Sequence, residues 1–152
     1  MTTILRGGGF AILMGLGSFF CAAQTGPVSW HFEAQSLNGN AANLILTATL
    51  ARGWHLYSQH IEAGGPIPTH IRFETGDDAT LEGITIEKGD PHTIHDSLYE
   101  MDVTWYTGSV VFEQRIRLIN PVTALRGTVE YMTCNDEICV PAQQTFSIPM
   151  QP

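Results

Sequence analysis

Short runs of alternating apolar and polar residues constrain this chain more than any other feature. Alternation of period two places every second side chain on one face of an extended segment. Val28, Trp30, Phe32 and Ala34 alternate in this way, and Leu44, Leu46, Ala48 and Leu50 repeat the pattern after Asn38-Gly39-Asn40. Further strand-like segments follow at Trp54–Ser58, His70–Glu74, Leu81–Ile86, Val103–Tyr106, Val110–Ile119, Gly127–Cys134 and Thr145–Met150. Turn formers punctuate them at Gly64-Gly65-Pro66, Gly76-Asp77-Asp78, Thr107-Gly108-Ser109 and Asn120-Pro121. No segment carries apolar residues three and four apart over a helical length. Eight or nine short strands predict an all-β domain, an immunoglobulin-like antiparallel β-sandwich. The two distant cysteines flanking a tryptophan that mark antibody domains are absent, so this topology rests on strand number. Glu87–Asp102 is the longest stretch without a strand pattern, and it reads as a loop of the length that usually serves function.

The amino terminus stands apart from this pattern. Arg6 and the terminal amine precede Phe10–Phe20, an uncharged run of 11 residues. A bilayer-spanning helix needs roughly 20. Cys21-Ala22-Ala23 then offers small residues before Gln24, so residues 1–23 are expected to be a cleaved export signal and 24–152 the mature domain. A lipoprotein anchored through Cys21 fits less well, because Phe20 stands where a small residue is wanted. Cleavage leaves 152 − 23 = 129 residues, and losing Arg6 takes the charge to 6 − 15 = −9. A chain this acidic lacks the basic face that phosphate backbones require, which argues against a nucleic-acid partner. After cleavage the domain is not expected to span a membrane.

Export also leaves Cys134 and Cys139 as the mature domain's two cysteines, and an oxidising compartment favours a disulfide between them. Cys134-Asn-Asp-Glu-Ile-Cys139 would close a ring of six residues at the turn between the last two strands. A loop that short restricts the unfolded chain by only about 2 kcal/mol, against about 4.7 for a loop of 100 residues. A bond at a hairpin tip is open to attack by another protein's thiol, since exchange requires access to a sulfur. Spacing alone leaves a structural and a redox-active bond equally open. Asp136 and Glu137 within the ring, with Asp96, Glu100 and Asp102 in the long loop, disfavour thiolate and would make a free thiol slow toward random partners.

Four ordered blocks carry a resemblance. They are Gly53-Trp-His-Leu-Tyr57, Gly65-Pro66 with Pro68-Thr69, Asp96–Tyr106 (DSLYEMDVTWY), and Tyr131–Pro141 (YMTCNDEICVP). Together they resemble the amino-terminal periplasmic domain of the DsbD thiol:disulfide interchange proteins, over about Val28 to Ile148. The resemblance implies an immunoglobulin-like fold and a dithiol/disulfide that shuttles electrons without any bound cofactor. It implies a membrane-embedded reductase feeding a thioredoxin-like domain as the source of electrons. Thioredoxin-like periplasmic proteins, such as disulfide isomerases and cytochrome c maturation thioredoxins, would receive them. Cys139 would form the mixed disulfide and Cys134 would resolve it. A cap loop over the disulfide would correspond to about Asp96–Glu100, including Leu98, with Tyr99 where the family usually has phenylalanine. His55 and Tyr57 fall where family members place aromatic rings near the cysteines, and histidine at 55 is a departure. Full-length family members continue into a membrane domain, whereas this sequence ends at Pro152, so a separate membrane thiol reductase is expected.

Two further readings stand beside that one. A secreted immunoglobulin-like binding module would use the disulfide only to pin a hairpin. A metal-binding protein would use His92, His95 and the thiols, although scattered surface histidines account for the six His more simply. Trp30, Trp54 and Trp105 fall in strand segments and read as core packing. No phosphate loop, no Gly-x-Ser-x-Gly motif and no clustered Ser–His–acid set is present.

Overall fold

Every strand pairing in the computed structural model is antiparallel, and two sheets result. Residues 26–37 and 39–150 are described; the predicted export signal and Asn38 lie outside them. One sheet has the order β1 (Val28–Ser36), β2 (Ala41–Leu50), β8 (Ser109–Leu118), β5 (Ala79–Lys88). The other runs β10 (Cys139–Pro149), β9 (Ala124–Cys134), β3 (His55–Tyr57), β7 (Met101–Thr107), β6 (Pro91–Asp96), with β4 (His70–Glu74) also paired to β9. Among the described residues there is no helix, and so none long and apolar enough to cross a membrane.

The predicted alternation sets the core. Leu44, Leu46 and Ala48 of β2 and Phe112 and Ile116 of β8 are fully buried from one sheet. Leu56, Val129 and Ile148 are fully buried from the other and belong to the same packed group. Trp30 and Phe32 of β1 reach across the sandwich, with ring centroids 5.4 Å from Tyr131 and 4.8 Å from Phe146 respectively. Burial of such side chains is the main stabilising term of a domain without helices, at about 1.5–3 kcal/mol for each large residue removed from water.

Two expectations from sequence need correction. Glu87–Asp102 is not one long loop: Glu87 and Lys88 end β5, Pro91–Asp96 form β6, and only residues 97–100 turn before β7. β6 is an edge strand whose first five residues are all exposed, so no apolar alternation marks it. Pro91 is tolerated because it opens an edge strand. Likewise β10 begins at Cys139 rather than Thr145. It too is an edge strand, which accommodates Pro141.

One excursion matters for function. β3 and β4 lie successively along the same side of β9, pairing with Thr133–Cys134 and with Arg126–Glu130. Between them the chain leaves the sheet, and Gly64-Gly65-Pro66 and Pro68 cannot continue a ladder. Thr69 closes this excursion by donating its N–H to the Ser58 carbonyl at 3.2 Å and its hydroxyl to the Tyr57 carbonyl at 2.6 Å. Glu87 of the opposite sheet anchors the start of the excursion: its carboxylate accepts from the Ser58 hydroxyl, the Gln59 N–H and the Tyr106 hydroxyl at 2.7, 2.6 and 2.8 Å.

Candidate functional site

Strand parity decides where the cysteines lie. Residues directly opposed in an antiparallel pair project to the same face, with Cβ atoms about 4.5–5.5 Å apart. Cys139 opposes Cys134, Cys134 opposes His55, and His55 opposes Thr107. These four residues therefore form one row across β10, β9, β3 and β7. Pro141, Met132, Tyr57 and Trp105 share that face two residues further along. Leu56, Tyr106, Val129 and Tyr131 have the opposite parity and belong to the sandwich core. The disulfide thus lies on the outer face of its sheet. There Tyr57, Val103, Met132 and Cys134 form a second buried group with Ile61, Met101 and Trp105 packed against it.

The excursion after β3 covers this group from above. Ile61 comes from it, and a Cβ placed on Gly65 would stand 2.8 Å from both Ile61 Cγ2 and Met101 Sδ. Gly65 is therefore the residue that lets the chain approach Met101 closely.

Cys134 and Cys139 are joined by a disulfide with their Cα atoms 4.1 Å apart. Such closeness belongs to a non-hydrogen-bonded antiparallel pair, and the next pair inward to the loop is bonded: Asn135 donates its N–H to the Ile138 carbonyl at 2.9 Å. The Asn135 side chain does the rest, its Oδ1 accepting the N–H groups of Glu137 at 2.9 Å and Ile138 at 2.8 Å. This local hold explains how a four-residue loop keeps the ring closed. Exposure is asymmetric, because Cys134 is 2% exposed whereas Cys139 is an exposed residue at the start of the edge strand.

The turn between β6 and β7 carries the other sequence-selected residues. Asp96 Oδ1 accepts the N–H groups of Leu98 at 2.8 Å and Tyr99 at 3.3 Å. Glu100 adopts φ 54°, the left-handed region, and reverses the chain into Met101. Leu98 projects outward at 81% exposure, while Tyr99 is half-buried. Burial holds the Tyr57 phenol above its ordinary range, and the charges of Tyr99 and Asp96 push it further the same way.

His55 lies with the site rather than away from it. Its ring is 4.9 Å from Trp105 and 5.2 Å, edge-on, from Tyr57. Burial lowers its pKa below the ordinary 6.5, and the charge of Asp136 opposes that shift. Of the predicted residues, Cys134, Cys139, His55 and Tyr57 lie together on the outer face of the sheet, with Asp96, Leu98, Tyr99 and Glu100 on the turn between β6 and β7.

The histidine pair proposed for metal does not assemble. His92 and His95 are three residues apart on β6 and so project to opposite faces. His92 Nε2 lies 3.5 Å from Thr107 Oγ1, while His95 Nδ1 lies 3.1 Å from Asp102 Oδ1. Two residues of the site escaped the sequence reading: Trp105 reads as core but packs on His55 in the outer group, and Asn135 is visible only as a turn-forming residue beside a cysteine. Trp54, just before β3, packs on the sandwich core as expected.

An immunoglobulin-like sandwich with a cystine at a hairpin tip, set on the outer face of one sheet, defines a class of small disulfide-bearing domains. Within that class the chain belongs to the family described as thiol:disulfide interchange protein DsbD, N-terminal, whose model matches residues 23–150. It is a thiol:disulfide interchange domain. Its fold is similar to that of the N-terminal periplasmic domain of ScsB from Proteus mirabilis, with a TM-score of 0.56 at 19% identity, over 80% of this chain and 45% of that one. It is also similar to the DsbD N-terminal domain of Neisseria meningitidis in the reduced form, with a TM-score of 0.50 at 15% identity, over 72% and 78%. This chain thus spans less than half of the Proteus domain. No curated protein matches the sequence.

Proposed function

We propose that the chain is an exported protein-disulfide reductase that carries two electrons on Cys134 and Cys139. In the dithiol form the Cys139 thiolate attacks a partner's disulfide, and a mixed disulfide forms as the partner's first sulfur leaves with the electron pair. Cys134 then attacks the Cys139 sulfur, and the partner departs as a dithiol while the ring closes. The observation that carries these roles is the asymmetry of exposure, an open Cys139 beside a buried Cys134. A thiol at an edge meets a partner; a buried neighbour only meets its own ring.

The proposed recipients are thioredoxin-like periplasmic proteins, including those of cytochrome c maturation. A membrane thiol reductase is the proposed source of electrons, residues 1–23 the export signal and the periplasm the compartment. The turn Asp96–Glu100 acts as a cap in this reading, with Tyr99 and Leu98 limiting access of small thiols to the ring until a partner displaces them. The chemistry requires no cofactor.

The deciding experiment is the equilibrium reduction potential of the Cys134–Cys139 bond, measured against glutathione. A value in the range of exchange proteins, with the fold intact when reduced, supports the reading. A value below roughly −300 mV marks a structural bond and favours a secreted binding module instead.

A further inference from the structure

The step least favoured by this site is the second one. Cys134 must lose a proton before it can attack Cys139, yet it is 2% exposed, and burial disfavours a thiolate. Asp136 in the ring loop adds a negative charge nearby, which disfavours it further. Water cannot readily take the proton from so enclosed a group, so a base within the protein is needed.

We infer that His55 takes the proton from the Cys134 thiol as Cys134 closes the ring onto Cys139. This rests on the exchange reading above and assigns a residue to its resolving step. His55 is the residue directly across β9–β3 from Cys134, which brings the two Cβ atoms to about 4.5–5.5 Å on one face. The span of an imidazole ring covers that gap. Trp105 and Tyr57 hold the ring in place from β7 and from its own strand. The groups facing His55 are Cys134 of β9, Tyr57 of β3, Trp105 and Thr107 of β7, His92 of β6 through Thr107, and Asp136 of the ring loop. Asp96 and Tyr99 act on Tyr57 beside it. Asp136 is the carboxylate nearest to favouring the imidazolium that the transfer creates. Because burial keeps the ring neutral at neutral pH, it is available as an acceptor.

The balance is simple. The Cys134 S–H bond breaks and its proton passes to imidazole; the thiolate forms the S–S bond with Cys139; the bond between Cys139 and the partner breaks. The electron pair leaves with the partner's sulfur, which then takes up a proton. Cys134 and Cys139 are oxidised by two electrons and the partner is reduced by two.

Ellman's reagent resolves the two steps. The reduced protein releases one thionitrobenzoate on attack by Cys139 and a second on ring closure. With His55→Gln, the first phase is expected to keep its rate, and the second to slow about tenfold or more at pH 7. The gap should narrow as the pH rises toward 9.5, where hydroxide increasingly removes the proton without help. Added imidazole should restore fast closure to His55→Ala, which guards against a variant that merely packs poorly. Equal closure rates at every pH, or the same deficit at pH 7 and pH 9.5, would overturn the assignment. Release of only one thionitrobenzoate by the unmodified protein would overturn the exchange reading itself.

Discussion

Replacing Asn135 with alanine leaves both cysteines in place and removes only what shapes their ring. The side chain accepts two backbone N–H groups, those of Glu137 and Ile138, inside a loop of four residues. A hydrogen bond of this kind contributes about 0.5–1.5 kcal/mol net, and partial exposure puts these two at the lower end. Together they favour the closed ring by about 1–2 kcal/mol. The opened dithiol retains less of that contribution, because its loop is no longer tied at both ends. Asn135→Ala should therefore make the bond easier to reduce, moving the potential upward by up to about 20–40 mV, since about 30 mV corresponds to 1.4 kcal/mol for two electrons. The assay is equilibration in graded glutathione buffers followed by alkylation and mass measurement of the two forms. Asn135→Asp, which keeps an acceptor oxygen, should fall near the unsubstituted protein. A potential unchanged by Asn135→Ala, or one shifted downward, would refute the claim that this side chain favours the oxidised ring.

Tyr99→Ala should speed reduction of the disulfide by dithiothreitol severalfold without changing its equilibrium potential, as followed by quenched alkylation. Cys134→Ser should accumulate a mixed disulfide on Cys139 with a model thioredoxin-like substrate, located by peptide mass mapping; an adduct trapped only in Cys139→Ser, on Cys134, would contradict the assigned roles. Phe112→Ala empties a fully buried position in the sandwich core and should cost about 3–5 kcal/mol in denaturant unfolding, equally in oxidised and reduced protein. Stability should also fall as pH drops below 6.5. The unfolded His55 takes up a proton at its ordinary pKa while the folded one, with its pKa lowered, resists it, so protons favour the unfolded chain until pH passes below the folded value. In His55→Gln that part of the slope should vanish from melts recorded between pH 7 and pH 5.

Strands that face a core on one side could be read from sequence because burial writes a period of two into them. β1 and β2 show this at Trp30, Phe32, Leu44 and Leu46, which all reach the sandwich interior. β6 could not be read, since both its faces are exposed and His92, Thr93, Ile94 and His95 follow no period. The same limit hid the first half of β10, where Pro141 argues against a strand unless the edge position is known. The cysteine ring was legible as a hairpin-tip feature from its spacing. Its place on the outer face was not, because that depends on the register of β9 against β3. Register also brought His55 to Cys134, across a sequence gap that no local pattern bridges. Trp105 shows the opposite error: its bulk suggests core, while its strand position places it on the far side of the sheet.

The two packed groups of this domain share strands but no side chain. Consequently, the packing around the disulfide is set apart from the packing that holds the two sheets together. Wear at the cysteines, whether overoxidation or a lingering adduct, would be confined to one surface of an otherwise sound scaffold.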